Sequence, residues 1–312
     1  MGFDVITFGS AVVDVFVDTD ISEKKGFMCY SVGSKILLKS LRFEVGGGGT
    51  NTAVAFSRLG LRTGFIGRIG DDNHGEEILD LLNEEKIKFL GRIEEDAVSG
   101  YSIILDSKEN NRTILTYKGI NDKILFRELN LRKIKTKWIY YSSMMDKSFE
   151  TQKKLASFLV KKGVKLAFNP SMYLIKKKNL ISLLKLCEVL ILNKEEAEVL
   201  CKKNKIKINS NSKDLLRNLS KLGPRIVVIT DKNKLVRCYD GRDKKGRESY
   251  LKPHKMKVIE RTGAGDAFAS GFVAGLIVDK PIEYCLSLGL AEGEGVIKHF
   301  GAKNKLLRMK IK

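Results

Sequence analysis

The chain has 312 residues, of which 57 are Lys or Arg and 37 are Asp or Glu, so its formal net charge is +20. Hydrophobic residues make up 43% of the sequence, which suffices for a packed core and excludes a chain that is disordered throughout. The longest apolar run, 268–278, is interrupted by Ser and Gly and is shorter than the roughly 20 residues of a membrane-spanning helix. Asp4 stands where a signal peptide carries basic residues. Secretion and a membrane partner are therefore not expected.

The five cysteines are odd in number and widely spaced, and no two form a Cys-x-x-Cys pair. This spacing is typical neither of a disulfide framework nor of a zinc site. The simplest interpretation is a cytoplasmic protein with free thiols.

The positive charge is spread along the chain in small lysine groups, such as Lys161-Lys162 and Lys202-Lys203. No stripe alternates these lysines with the stacking aromatic residues that single-strand binding favours. We interpret the lysines as solvated surface and expect no nucleic-acid partner. The alternative, a nucleic-acid-binding protein, would show a steep salt dependence of DNA binding.

Short β-branched runs and amphipathic helices alternate along most of the chain. Strands are predicted at 3–8, 62–68, 137–141, 164–168, 188–192 and 225–230, and helices at 50–60, 75–85, 149–162, 195–201, 264–279 and 282–299. This alternation indicates β-α-β crossovers. The predicted fold is therefore α/β, with a mostly parallel central sheet that helices cover on both faces.

Two stretches, 15–45 and 98–118, break this alternation with strand-like segments that no helix separates. The segments are 34–45, 101–106 and 113–117, and the pair Asn110-Asn111 between the last two predicts a hairpin turn. We expect the two insertions to build a small antiparallel sheet that acts as a lid on a single domain spanning 1–312.

The first candidate ligand loop is the run Gly-Gly-Gly-Gly-Thr-Asn at 46–51, directly before a predicted helix. Consecutive glycines let the backbone approach a ligand, and a helix N-terminus presents free N–H groups to it. A flexible loop closed by a capping Thr50 or Asn51 is the alternative. The run is not a nucleotide P-loop, because no Gly-Lys-Ser/Thr follows.

The second candidate is Gly263-Ala264-Gly265-Asp266, which opens an apolar helix. Gly-Ala-Gly at a helix start offers a nest of N–H donors for an anion, and Asp266 falls beside it in the first turn. A carboxylate next to such a nest suits the deprotonation of a hydroxyl that attacks a bound phosphoryl group. Asp266 could instead serve only to complement the helix dipole.

Both loops resemble signatures of the ribokinase-like (PfkB) carbohydrate kinase family. The segment 46–53, followed by Gly60 and Gly70, is similar to the N-terminal signature, and 261–266 to the C-terminal one. Further similar segments lie between these two signatures, in the family's order, at 67–75, 111–121 and 193–196. The resemblance implies a ribokinase-like three-layer α/β fold with a β-sheet lid. It also implies an enzyme that moves the terminal phosphate of ATP to a hydroxymethyl group of a sugar.

The resemblance also implies roles for individual residues. Asp266 matches the catalytic base, and Gly263, Ala264 and Gly265 match the anion hole. The matched substrate and nucleotide positions are Asp14, Gly47, Gly48 and Asn51 for the sugar, and Asn193, Thr230 and Gly265 for the nucleotide. Glu196 matches a residue that positions hydrated Mg²⁺ through water. Taken by themselves, Asn193 and Glu196 also fit a helix capping pair.

Several alternatives stay open at this level. A nucleoside or a sugar phosphate is the next candidate acceptor, and Arg68 and Arg112 offer bidentate contacts to a substrate phosphate. A catalytically silent relative acting as a regulator is a different class of function. Glu260-Arg261 replaces the family's usual Asp-Thr, which leaves the use of a monovalent cation open. The resemblance further implies a homodimer joined through the lids.

Overall fold

The computed structural model describes residues 2–109, 111–206, 212–232, 234–243 and 245–311, without the side chains of 212 and 213. Asn110 of the predicted turn therefore lies outside the described residues. The strands in the described part are β1 (Phe3–Phe8), β2 (Val12–Asp18), β3 (Ser40–Gly46), β4 (Thr63–Ile66), β5 (Arg68–Gly70), β6 (Lys88–Phe89), β7 (Arg92–Glu94), β8 (Gly100–Asp106), β9 (Arg112–Tyr117), β10 (Thr136–Ser142), β11 (Lys165–Asn169), β12 (Val189–Asn193), β13 (Ile226–Thr230), β14 (Val236–Asp240) and β15 (Arg247–Leu251).

Helices alternate with the strands of the central sheet. They are α1 (Gly48–Arg58), α2 (Asn73–Glu84), α3 (Asp146–Val160), α4 (Met172–Lys177), α5 (Ile181–Leu184), α6 (Lys194–Lys203), α7 (Ser212–Ser220), α8 (Ala264–Ile277) and α9 (Ile282–Val296). Of these, α4, α5 and α7 come in addition to the predicted helices. Two short 3-10 helices, Asn121–Lys123 and Phe126–Glu128, precede β10. No helix within the described ranges combines the length and the apolar character that crossing a membrane requires.

In the part of the chain that the structure describes, the central sheet has nine strands in the order β15-β14-β13-β12-β11-β10-β1-β4-β6. Neighbouring strands pair in parallel along the part of this order that runs β13-β12-β11-β10-β1-β4-β6. β14 and β15 add an antiparallel edge. This arrangement confirms the predicted α/β class with a mostly parallel sheet. Each parallel strand ends at the same edge, so side chains that follow these strands come together there.

Alternate residues of the central strands enter two apolar cores, one on each face of the sheet. Ile139 and Tyr141 of β10 pack with Phe149 and Leu155 of α3 on one face. Trp138 and Tyr140 pack on the other face, with side chains that include Phe56 (α1), Phe268 and Phe272 (α8) and Leu286 (α9). The two-residue period of a strand explains this division, and burial on both faces fits a parallel sheet. The result is the three-layer arrangement that the resemblance implies.

A second sheet, in the order β3-β2-β8-β9, forms outside the central one. Its strands β3, β8 and β9 lie in the two stretches that break the β-α-β alternation, whereas β2, which was not predicted, begins before the first of them. β2 pairs with β3 antiparallel and with β8 in parallel. The sheet is therefore mixed rather than purely antiparallel. The prediction of a strand over 34–45 was wrong at its start, because the pairing of β3 begins at Ser40. Its partner strand ends at Asp18, and Asp20 then turns the chain with a φ of 58°.

The five cysteines are all free thiols. Cys29 is exposed in the connection between β2 and β3, whereas Cys187, Cys201, Cys238 and Cys285 are buried. Burial raises the pKa of each of these four thiols, to about 11 for Cys201 and to about 12 for Cys285. The four buried thiols are therefore protonated and unreactive near neutral pH.

Candidate active site

The candidate site lies at the edge where the parallel strands end. The residues at or just after the ends of β1, β10, β12 and β13 are Ser10, Ser142, Asn193 and Thr230. Two helices, α1 and α8, point their N-termini at this edge and carry the two glycine loops. Such an edge is where open α/β sheets bind their ligands.

The first glycine loop joins the second sheet to α1. Gly47 has a φ of 96°, which only glycine adopts readily, and α1 starts at the next residue. The amides of Gly49 and Thr50 donate to the Ser10 carbonyl at 3.0 and 3.4 Å. The expectation that this helix start presents free N–H groups to a ligand therefore does not hold for these two amides. The glycines instead let α1 approach β1, because a Cβ on Gly49 would lie 2.6 Å from the Gly9 carbonyl carbon.

Asp14 lies beside this loop, on β2 of the second sheet. A Cβ on Gly46 would lie 1.8 Å from Asp14 Oδ2, so the carboxyl group fills the space that the missing side chain leaves. Burial raises the pKa of Asp14, while a hydrogen bond from Ser102 and the charge of Lys303 oppose that rise. The sequence thus places a buried acid directly against the glycine run.

Asp266 and Asn51 meet across the edge, although 215 residues separate them. Asn51 Nδ2 donates to Asp266 Oδ2 at 2.9 Å. The other carboxyl oxygen faces the first glycine loop, since a Cβ on Gly48 would lie 3.6 Å from Asp266 Oδ1. Burial raises the pKa of Asp266, and the Asn51 hydrogen bond and the Lys303 charge counteract that rise. One oxygen is therefore held, and the other borders a gap that glycine keeps open.

The second glycine loop forms the start of α8. Gly263 adopts a left-handed φ of 77°, and a Cβ there would lie 2.4 Å from Ala302 Cβ. Gly265 has open space where a side chain would be. The Ala264 amide makes a long bond of 3.3 Å to Arg261, and no carbonyl in the described part of the chain accepts from Gly265. The start of α8 can therefore donate to an anion, as its sequence predicts.

Two adjoining pockets open at this second loop. The smaller holds about 210 Å³ and is lined by Asn193, Glu196, Thr230, Gly265 and Asp266, among others. The larger holds about 500 Å³, and Thr230, Gly265 and Phe268 border both. The small polar pocket beside the helix start suits phosphate groups, and the larger, more apolar one suits a flat organic ring.

Asn193 and Glu196 form a capping box at the start of α6. Asn193 Oδ1 accepts from the Glu196 amide at 2.8 Å, and Glu196 Oε2 accepts from the Asn193 amide at 2.9 Å. Glu196 Oε1 accepts from the Met172 amide at 3.1 Å. The capping alternative is therefore realised. Each carboxylate oxygen keeps a free lone pair, so contact with a hydrated metal through water remains compatible with this geometry.

Arg112, among the described residues, forms no hydrogen bond or ion pair with Asp14, Asn51 or Asp266. From β9 it donates to Glu260 Oε1 at 2.7 Å and to Thr262 Oγ1 at 2.6 Å. It thus ties the second sheet to the segment before α8. Arg68 is likewise engaged with Glu94 and Glu128. Substrate binding by either arginine stays a prediction.

Lys303 is a site residue that the sequence interpretation missed. Its Nζ donates to Asn51 Oδ1 at 2.7 Å from a segment that follows α9. No sequence signal marks it, because it is one lysine in a lysine-rich stretch and outside both glycine loops. Ser142, whose buried hydroxyl has no partner among the described residues, was also missed, because it lies outside both glycine loops.

Comparison with known proteins agrees with this architecture. Residues 3–308 match the pfkB family carbohydrate kinase. A protein of Archaeoglobus fulgidus described as an uncharacterized sugar kinase is 29% identical over 82% of this chain and 99% of its own length. The cytidine kinase of Thermococcus kodakarensis is 34% identical over 49% of this chain and 53% of its own. The crystal structure of adenosine kinase from Sinorhizobium meliloti superposes with a TM-score of 0.82 at 19% identity, covering 98% of both chains. The chain is a member of the pfkB family of carbohydrate kinases.

Proposed function

We propose that this kinase transfers the terminal phosphate of ATP to a hydroxymethyl group of a sugar, with Asp266 as general base. The observation that carries the proposal is the position of Asp266. Its carboxylate lies at the start of α8, lines the small polar pocket and leaves Oδ1 facing the first glycine loop. A carboxylate, a helix start with free amides and an open gap thus lie together, which supports these three roles.

In the proposed reaction, Asp266 Oδ1 takes the proton of the acceptor hydroxyl. The hydroxyl oxygen forms a bond to the terminal phosphorus of ATP, and the bond from that phosphorus to the bridging oxygen breaks, which releases ADP. Gly263, Ala264 and Gly265 would stabilise the charge on the transferring group through their amides and the dipole of α8. Burial of the site strengthens each of these interactions.

The residues present fit a magnesium ion that the nucleotide phosphates hold. No cluster of three or more His, Cys, Asp or Glu suited to a metal occurs among the described residues, so phosphates and water would supply most ligands. Glu196 and Asn193 line the phosphate-sized pocket and would contact those waters. When bound, the ion would neutralise phosphate charge as it develops. Thr230 would contact the nucleotide from the border of both pockets.

The acceptor would bind between the second sheet and the first glycine loop. Asp14 would accept hydrogen bonds from its hydroxyl groups, with Gly47, Gly48 and Asn51 lining the pocket. Asp14 is buried and lies against the glycine run, which supports this placement. Arg112 would contact the acceptor only by leaving part of its ion pair with Glu260. A nucleoside is the alternative acceptor, which the similarity to a cytidine kinase favours.

A phosphorylation screen tests the proposal. Ribose, fructose, nucleosides and fructose 6-phosphate would each be incubated with ATP and, separately, with ADP as donor, and phosphorylated product would be measured by mass spectrometry. We expect ATP-dependent transfer to a free sugar. Transfer only to nucleosides would replace the sugar with the alternative acceptor. No transfer to any acceptor, with nucleotide binding intact, would favour a silent regulatory protein.

We further propose that the second sheet is a lid that closes over the acceptor. An activated phosphate donor must be shielded from water, or it hydrolyses. The outer face of this sheet exposes apolar side chains on both edge strands: Leu41 and Phe43 on β3, and Leu115 and Tyr117 on β9. Exposed edges of this kind favour pairing, and a homodimer joined through the two lids would cover them.

The free thiols support a reducing compartment, and we place the enzyme in the cytoplasm.

Hydrogen exchange with and without the acceptor would test the lid. We expect protection of β2, β3, β8 and β9 to rise when the acceptor binds, while β13 changes little because it is already buried in the central sheet. Equal protection of the second sheet in both states would mean that it is fixed structure. The same data report on the dimer, because exchange in β3 and β9 should slow as protein concentration rises.

A further inference from the structure

Lys303 is buried between α1, the second sheet and the segment after α9, with 6% of its surface exposed. Its Nζ donates to Asn51 Oδ1 at 2.7 Å and also to the Val45 carbonyl on β3. The Lys303 carbonyl accepts from Arg58 Nη1 at 2.5 Å, which fixes the backbone of this residue. The Lys303 residue is therefore held at its backbone and at its ammonium group, and the ammonium group points into the site.

The groups that face the Lys303 ammonium come from four elements. Asp14 on β2, Glu44 on β3 and Asp266 on α8 are carboxylates, and Arg58 on α1 is a cation. Burial lowers the pKa of Lys303 to about 8, and the three carboxylates oppose that shift. A buried charge is tolerated where such partners compensate it. Lys303 thus balances three acids around the site.

The contact with Lys303 decides which way the Asn51 amide points. An ammonium group only donates hydrogen bonds, so the oxygen of the amide must face Lys303. The NH₂ group then faces Asp266, where it donates to Oδ2 at 2.9 Å. The reversed amide would set its oxygen against a carboxylate and its NH₂ group against an ammonium. Both of those contacts are repulsive.

We propose that Lys303 is a positioning residue that acts on Asp266 through Asn51. By fixing the amide, Lys303 holds Asp266 Oδ2 and leaves Oδ1 free toward Gly48, where the acceptor hydroxyl would enter. The donated hydrogen bond also keeps Asp266 ionised at a lower pH than its burial alone would permit. The inference rests on the proposed role of Asp266 as the base.

Kinetics of Lys303→Met test this role. Lys298→Met is the matched control, because Lys298 is an exposed lysine five positions earlier in the sequence. We expect kcat to fall on the order of 10- to 100-fold in Lys303→Met, the scale of a misplaced catalytic group. KM for ATP should change little, and the control should match the wild type. In an Asn51→Ala background, Lys303→Met should cost little more, because both changes break the same connection. Full additivity of the two losses would overturn the proposal.

A second measurement needs no turnover. In protein labelled with ¹³C at the aspartate carboxyl carbons, the Asp266 signal is assigned by its loss in Asp266→Asn and followed against pH. We expect the pKa of Asp266 to rise by about one unit in Lys303→Met, because a donated hydrogen bond and a nearby cation are lost. An unchanged Asp266 titration would overturn the proposal even if no acceptor is phosphorylated, so its failure is distinct from failure of the proposed kinase reaction.

Lys303→Gln provides a second variant if Lys303→Met does not fold. Glutamine keeps a donor for Asn51 Oδ1 but removes the charge. We expect the pKa of Asp266 in Lys303→Gln to be higher than in the wild type. Where Lys303→Met can also be measured, the value in Lys303→Gln should lie between those of the wild type and Lys303→Met. A value at or below that of the wild type would contradict the proposal.

Discussion

Turnover should fall about 10²–10⁴-fold when Asp266 is replaced by Asn, the usual scale for removing a general base. Asn keeps the size of the side chain but cannot accept the acceptor's proton. Nucleotide binding should persist, because the larger pocket and the amides of the second glycine loop are unchanged. Steady-state kinetics with the acceptor identified in the screen, and calorimetric titration with nucleotide, would measure the two effects.

Asp279→Asn is the matched control, since Asp279 is exposed just beyond the other end of α8. Its φ of 54° is one that Asn also tolerates. This variant should turn over like the wild type. Near-normal turnover in Asp266→Asn would remove Asp266 from the role of base.

The pH dependence of kcat/KM provides a further check on the same residue. Burial raises the pKa of Asp266 above its ordinary 3.8. The base must be ionised to act, so activity should be present above the raised pKa and lost as pH falls through it. In Asp266→Asn this acid limb should disappear from the residual activity.

Removal of magnesium is expected to abolish activity, and its return should restore it. The transferring phosphoryl group carries charge that the amides of one helix start would neutralise only in part. Activity would be measured after treatment with EDTA and again after Mg²⁺ is added in excess. Full activity in metal-free buffer would contradict the proposed arrangement of phosphates, water and Glu196.

Glu196→Gln separates the metal contact from the helix cap. Gln supports a capping box as Glu does, so α6 should be retained while the negative charge beside the metal waters is lost. We expect a higher Mg²⁺ concentration for half-maximal activity. Glu195→Gln is the control, because Glu195 is exposed and pairs with the exposed Lys232. If Glu196→Gln needs no more Mg²⁺ than Glu195→Gln and the wild type, Glu196 serves the cap alone.

Strands β1, β4 and β10 to β13 of the central sheet could be predicted from the sequence because their signals are local. The edge strands β6, β14 and β15 and the helices α4, α5 and α7 were not predicted. The run of consecutive apolar residues in β10 and the glycines before α8 each mark one element and its boundary. The second sheet was predicted from a loss of that rhythm. Its parallel pairing between β2 and β8 was not predicted, because pairing depends on residues that lie about 90 apart along the chain.

The candidate site could be predicted only where a loop carries its own signal. Gly263, Gly265 and Asp266 stand together in sequence, and the structure places Asn51 against Asp266. Lys303 and the bond from Arg112 to Glu260 could not be predicted, because each contact joins distant segments through ordinary surface residue types. The bonds from the Gly49 and Thr50 amides to the Ser10 carbonyl could not be predicted, because they depend on how α1 docks on β1.

The distribution of the thiols makes this protein convenient for optical work. Cys29 is exposed on the connection between β2 and β3, while the other four thiols are buried and have raised pKa values. A maleimide fluorophore should therefore attach selectively at Cys29 in the native protein, without any engineered cysteine. The label would lie on the part of the molecule proposed to move. Its emission could follow closure in real time during a single turnover.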